Sequence, residues 1–286
     1  MWRKGYSSIS TIRGVLRPAF QLAVKSEYIF SNPFNFELKD VILNDSVKRE
    51  ALSVRDEHRF LEFIKEDEHF KRYYDGILIL FNTGMRISEF CGLTFKDIDL
   101  ENRSINVNHQ LLYNGNNKAY IEDMTKTEAG MRVLPMNTEV KEAFERVIKN
   151  RKTNKEIEID GVTGFIFLNA LGKPTQEYYW DKKFKYAVEK FNRIYKDELP
   201  EKITPHIARH TYCTRMAVSG ISVYTLKYLM GHNDIQTTVN VYTHLHLDDA
   251  RKEMERVESL NEVEKLKEIK RAEESCKVIS LDKYIV

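Results

Sequence analysis

Apolar positions recur with two different periods along this chain. In residues 1–31, Ile9, Ile12, Leu16, Phe20, Ala23 and Val24 return at helical spacing. Gly14 and Pro18 interrupt the pattern, and Pro18 either kinks that helix or starts a second one. Asn32-Pro33 ends the region. Residues 37–50 are polar and poorly periodic, and Asn44-Asp45-Ser46 reads as a linker. Ser53 with Asp56 is a capping start for a helix carrying Phe60, Leu61 and Ile64. Tyr73 to Phe81 predicts a buried helix that stops at Thr83-Gly84, with Gly84 free to turn left-handed. Met85 to Phe90 opens the next helix.

Between Ser104 and Pro135 the period drops to two. Ile105, Val107 and His109 alternate with polar residues and predict a strand. Asn114-Gly115 is a hairpin turn, Tyr120 to Met124 a second strand, and Met131 to Pro135 a third. Helical spacing then returns over Val140 to Ile148. A charged loop covers 151–160, and Gly164 to Leu168 is a short buried strand or extended segment. Tyr178 to Ile194 is a helix carrying Trp180, Phe184, Val188 and Phe191. Thr204 and Pro205 look like an N-cap and first helical residue, followed by about twenty residues of helical pattern. Gly231 closes the part that carries Val223, Leu226, Leu229 and Met230. In the tail, Ala250, Met254 and Val257 make one stripe, while Leu260, Val263, Leu266 and Ile269 step by three. That stripe rotates around a straight helix, so a break near 259–261, or docking onto two surfaces, is expected. The fold class is mainly α with a small antiparallel β-sheet (α+β).

Composition narrows the partners. The 286 residues suffice for roughly two domains. Apolar residues at 42% and charged residues at 31% describe a globular chain rather than a disordered one. No apolar run approaches the roughly 20 residues that span a bilayer, so no membrane partner is expected. Cys91, Cys213 and Cys276 are odd in number and far apart, which suggests neither a disulfide framework nor a zinc site and fits a reducing cytosol. His244 and His246 alternate like a ligand pair, but no carboxylate or cysteine cluster joins them, so no metal is expected. Net charge is only +2, from 45 basic and 43 acidic residues. Bulk charge therefore does not argue for nucleic acid; only a segregated basic surface does, and many acidic residues crowd into the last forty positions.

The candidate chemistry lies between Thr204 and Leu245. His206 and Arg209 are three apart on one helix face, at an N-terminus where free N–H groups favour an anion. An arginine fork beside a histidine there suits a phosphate. Gly231-His232 follows, and ten residues beyond His232 lies Tyr242. Upstream, Arg86 stands in T-G-M-R-I-S-E; read alone, it is a surface arginine paired with Glu89 rather than a catalytic one.

Together these residues resemble the C-terminal signature of the tyrosine recombinases, the phage integrase family: His-x-x-Arg, then Gly-His, then a nucleophilic tyrosine. The strings T-K-T-E-A-G-M-R-V-L-P-M and M-G-H-N-D-I-Q-T-T-V-N-V-Y-T-H resemble those of conjugative-transposon integrases. The resemblance implies Arg86 and Arg209 as a phosphate clamp and Tyr242 as nucleophile, giving a 3′-phosphotyrosine and a free 5′-hydroxyl. It implies Lys126, on a hairpin, as general acid, His206 as general base and His232 as a phosphate ligand. The cations around the phosphate would favour the phenolate. No cofactor is implied, because the phosphotyrosine conserves the bond energy. Residues 1–43 resemble the end of a helical core-binding domain that grips DNA, with 44–50 as linker and 51–247 as the catalytic domain. The 248–286 tail is expected to dock in trans. The family's core-binding domain is longer, so the resemblance implies a chain shortened at its N-terminal end.

Arg3, Lys4, Arg13 and Arg17, with Lys182 and Lys183, are the expected DNA-backbone contacts; a solvated helix face is the other reading of both groups. The implied partners are double-stranded DNA at recombination sites, a homo-oligomer (dimer to tetramer) and an accessory excision factor. The implied setting is the bacterial cytoplasm, at the nucleoid when bound to DNA. A type IB topoisomerase shares this chemistry, and a non-catalytic DNA-binding protein could share the scaffold.

Overall fold

The computed structural model describes residues 5–45, 51–116, 118–123, 130–151, 157–242 and scattered positions between 251 and 271. The chain divides into two compact units, Met1–Glu50 and Ala51–Val286.

The first unit is built on α1 (Tyr6–Lys25), a single helix that runs through Pro18. Proline removes one bond, here to the carbonyl of Gly14, and twenty residues hold the helix together regardless. The helix stops at Lys25, short of the 31 residues that the apolar spacing suggested, and Glu27 turns left-handed. The following segment folds back on it: Arg13 donates to the carbonyls of Phe34 (3.1 Å) and Phe36, and Phe20 meets Phe34 edge-on at 5.0 Å.

The second unit has one large core. Ser53 caps α2 (Val54–Glu66) by accepting from the Asp56 N–H at 3.1 Å. Helix α3 (Tyr74–Thr83) is buried on nearly every side, from Gly76 through Phe81. A Cβ on Gly76 would lie 2.4 Å from the Trp180 ring, so only glycine lets that indole approach. Helices α4 (Ile87–Gly92), α5 (Thr138–Asn150), α6 (Glu177–Ile194) and α7 (Pro205–Val218) surround this centre. Phe60, Phe81 and Phe184 meet at 5.7–6.2 Å, and Phe90 stacks on Phe167 at 3.9 Å.

The strands depart from a single three-stranded meander. Strands β1 (Ile98–Asp99), β2 (Ser104–Val107) and β5 (Arg132–Pro135) form one antiparallel sheet in the order β1-β2-β5, with Ile105 opposite Leu134. Strands β3 (His109–Tyr113) and β4 (Ala119–Asp123) form a separate hairpin around Asn114-Gly115. The run predicted to continue through His109 changes sheet at Asn108. Residues 164–168 form no strand: Phe165 and Leu168 make isolated bridges and the chain bends at Ile166 and Phe167 between them. The long helical pattern after Thr204 is two helices, α7 and α8 (Val223–Met230), parted by Gly220 at φ 77°. Helix α9 (Ile235–Tyr242) follows. The described tail residues, including Met254, Leu266 and Ile269, are helical and exposed. Most of the two tail stripes lies outside the described residues. Among the described residues no helix is long and apolar enough to cross a membrane.

Candidate active site

The site is organised by the last carbonyls of α8. A helix leaves its final C=O groups without intrahelical partners and carries partial negative charge there. Gly231 takes the left-handed conformation (φ 60°, ψ 44°), and the N–H of His232 returns to the Lys227 carbonyl at 3.2 Å. That turn leaves three carbonyls pointing at three guanidinium groups. Arg132 Nε donates to Leu229 (2.8 Å), Arg209 Nη2 to Met230 (2.5 Å) and Arg86 Nη2 to Gly231 (2.6 Å). Arg209, buried on α7, also donates from Nη1 to the Gly84 carbonyl at 2.6 Å. Gly84 is left-handed (φ 63°), and a Cβ there would sit 2.4 Å from the Tyr212 ring, so conformation and space both require glycine.

Glu89 joins two of the three arginines. It is buried and takes Arg86 Nη1 at 2.8 Å and the Arg86 N–H at 2.8 Å. Its other partner is Arg132, whose Nη1 and Nη2 reach the two carboxylate oxygens at 3.1 and 2.7 Å. Burial works to raise the Glu89 pKa. The Arg132 hydrogen bond and charge, with the charges of Arg86 and Arg209, outweigh burial and hold it below the ordinary carboxylate value. Arg132 is 3% exposed on β5. The sequence pattern puts it in a strand and points to no role for it. The signal was there: in a two-residue period Arg132 shares the inward face with Leu134.

Beside these groups opens a cleft of about 260 Å³ lined by Arg86, His206 and Arg209 among others. Thr204 caps α7 by accepting from the Ile207 N–H at 3.2 Å, with Pro205 in the first turn, as the sequence predicts. His206 is exposed on that turn while Arg209 is buried. Burial and the neighbouring Arg86 push the Arg209 pKa down to about 9, which leaves it charged near neutrality. His232 hydrogen-bonds through Nδ1 to the buried Thr238 hydroxyl at 2.9 Å. Burial first, then Arg209, Arg86 and Arg132, push its pKa down to about 4, so its imidazole is neutral. Two carboxylates unremarked in the sequence, Glu177 and Asp181 of α6, form another wall of the cleft. Burial raises both pKa values, and in Glu177 the charge of Asp181 adds to it.

Tyr242 ends α9. Its hydroxyl donates to the Ile221 carbonyl at 2.6 Å, and its ring packs against a small cluster of Tyr212, Cys213, Ala217, Leu226 and Met230. Burial, then the Cys213 thiol, raises the phenol pKa. In this conformation the hydroxyl is tied to a backbone carbonyl, and among the described residues no guanidinium shifts it; the phenolate expectation concerns the phosphate-bound site.

The structure thus gathers Arg86, His206 and Arg209 on one cleft, ties His232 to the same α8 terminus, and holds the Tyr242 hydroxyl on Ile221. Lys126, Arg3, Lys4, His244 and His246 lie outside the described residues. Arg13 serves the interior of the first unit, and Arg17 donates to the Asn35 side chain at 3.1 Å. Lys182 lies over the Tyr178 ring at 4.4 Å. Lys183 lies between Tyr73 and Tyr179 at 4.8 and 4.9 Å.

Residues 50–248 match the phage integrase family. The transposase from transposon Tn916 of Enterococcus faecalis is 41% identical over 261 residues, which are 91% of this chain and 64% of that protein. The chain thus spans less than two thirds of that relative's length. An integrase of Staphylococcus phage L54a is 29% identical over 252 residues, 81% of this chain and 68% of its own. Among solved structures, the Tn1549 transposon integrase in complex with a circular intermediate DNA superposes with a TM-score of 0.83 at 44% identity. That match covers 89% of this chain and 80% of the other. The chain belongs to the phage integrase family, the tyrosine recombinases.

Proposed function

We propose that this chain cleaves and rejoins DNA strands as a site-specific recombinase that integrates or excises a mobile element. The observation that carries the reading is the pair of guanidiniums, Arg86 and Arg209, fixed on α8 carbonyls while lining one cleft with His206. Fixed cations of this kind stabilise charge that develops on the nonbridging oxygens of a phosphodiester. The Tyr242 oxygen leaves the Ile221 carbonyl and forms the bond to phosphorus. Its proton passes to His206, the P–O5′ bond breaks, and Lys126 protonates the departing 5′-oxygen. Neutral His232 donates from its second ring nitrogen to the phosphate. The 5′-hydroxyl of another strand reverses the step and releases Tyr242.

Residues 1–43 form the end of the core-binding domain, 44–50 the linker, 51–247 the catalytic domain, and the 248–286 tail docks onto a neighbouring subunit in a dimer or tetramer. Double-stranded DNA is the substrate, in a bacterial cytoplasm. The solved complexes of the Tn1549 integrase with circular intermediate DNA and with transposon right end DNA support this choice of partner.

A nicked suicide duplex carrying the element's end tests the reading. Wild type should form a covalent adduct that maps to Tyr242, and Tyr242→Phe should bind the duplex without forming one. An adduct on Tyr224 or Tyr228 would overturn the assignment. Affinity should fall steeply with salt, since phosphate contacts release counterions.

A further inference from the structure

We propose that Arg132 is a positioning residue of the phosphate clamp, acting through Glu89 to keep Arg86 both oriented and electrically available. The inference rests on the recombinase reading above. Two observations carry it. First, Arg132 uses its whole fork inside the protein: Nε on the Leu229 carbonyl, Nη1 and Nη2 on the two oxygens of Glu89. None of these contacts points into the cleft, and Arg132 does not line it. Second, Glu89 also holds Arg86, which does line the cleft.

Arg86 paired with Glu89 alone is a neutral couple and would attract a phosphate weakly. Adding Arg132 gives the triad Arg86–Glu89–Arg132 a net charge of +1, and the buried arginine takes the larger share of the carboxylate. Both Glu89 oxygens face Arg132, while Arg86 keeps donors for a ligand. Arg132 also anchors the turn that ends in His232, because it shares the α8 terminus with Arg86 and Arg209. It lies on β5, six residues along the chain from Lys126. One side chain therefore ties the strand that follows the Lys126 segment to the groups that would hold the phosphate.

The test is single-turnover cleavage of a nicked duplex by the full chain, with DNA affinity and thermal melting measured alongside. Arg132→Met should lower the cleavage rate on the order of 100-fold, the scale of losing one preorganised donor, and weaken binding of intact duplex far less. The double variant Glu89→Gln, Arg132→Met removes the carboxylate that would neutralise Arg86, so it should cleave at least about tenfold faster than Arg132→Met. A merely structural role predicts the opposite order, since the double variant loses more buried contacts. Arg132→Lys keeps the charge without the fork and should fall between wild type and Arg132→Met; it also decides the matter if Arg132→Met does not fold. Wild-type rates in Arg132→Met, or in Arg132→Lys where only that variant folds, would overturn the inference, as would a double variant no faster than the single one. Those results arise with wild type still forming its adduct, so they leave the recombinase reading standing. A wild-type chain that forms no adduct would bring down that reading and this inference with it.

Discussion

The end of α8 and the helix α9 that follows it are built in opposite ways. Around the α8 terminus every strong group has several partners. Arg209 holds two carbonyls, Glu89 holds two arginines, and Arg132 holds a carbonyl and a carboxylate, all in buried surroundings. Helix α9 buries only Thr238, and Tyr242 is retained by one hydrogen bond and a small apolar cluster. The groups that would meet the phosphate are thus in place before any substrate arrives, whereas the proposed nucleophile, Tyr242, is lightly held. A neutral hydrogen bond contributes only about 0.5–1.5 kcal/mol, so releasing Tyr242 from Ile221 costs little. Rearranging the clamp would strand buried charges, which costs several kcal/mol. On the proposed mechanism, attack by Tyr242 therefore requires movement of α9 rather than of the arginines.

The sharpest break of this comparison is Arg209→Ala. It leaves the Gly84 and Met230 carbonyls without their donor, at about 1–3 kcal/mol each, and removes two charge-assisted contacts from the site. Chemical denaturation should show a loss of about 2–6 kcal/mol, and cleavage should fall by roughly three orders of magnitude. A variant as stable as wild type would mean the carbonyl anchors do not organise this region.

Glu89→Gln comes next. It uncouples the two guanidiniums from their shared anion and should cost about 3–5 kcal/mol near neutral pH. The sign with pH is fixed by the depressed Glu89 value: its contribution is present above the ordinary carboxylate pKa and lost as pH falls through the folded one. The variant should lack that acid-side loss.

Much of the site was legible because its signals are local. Thr204-Pro205 announces α7, His206 and Arg209 share its face, and Gly84 and Gly231 mark helix ends whose left-handed backbone only glycine adopts readily. What was not legible is long-range. Nothing in the string says that Leu229, Met230 and Gly231 each offer a carbonyl to a different arginine, because those partners lie 97, 21 and 145 residues away. The same limit hid the sheet change at Asn108, which depends on β5 pairing with β2 rather than extending the β3–β4 hairpin. The phenolate expectation concerns the site with a phosphodiester in it. It places Tyr242 by the partner it needs in the reaction, while its hydroxyl here donates to the Ile221 carbonyl.

His232 sharpens the comparison through pH. Its folded value near 4 lies below the ordinary 6.5, so the folded state disfavours the proton. Stability should be full above about pH 6.5 and decline as pH falls towards 4, a window that lies mostly above that of Glu89. His232→Gln should flatten this slope in urea titrations run at successive pH values. An unchanged slope would mean that neither burial nor the cations at the α8 terminus lower the His232 pKa.

The smallest expected effect is the most telling. Tyr242→Phe deletes the one hydrogen bond that the Tyr242 hydroxyl makes among the described residues, and Ile221 is only partly buried, so water can take over its carbonyl. The folded state should lose no more than about 1 kcal/mol, even though adduct formation disappears. Amide hydrogen exchange should agree: the α9 amides should exchange faster than those of α7, and the substitution should speed them further while leaving α7 unchanged. Catalysis and stability would then separate cleanly, with Tyr242 mattering for the first alone and Arg209 for both. If Tyr242→Phe instead destabilised the chain as much as Arg209→Ala, α9 would be as firmly held as the clamp. Release of the hydroxyl from Ile221 would then be a real barrier in the reaction rather than a minor step.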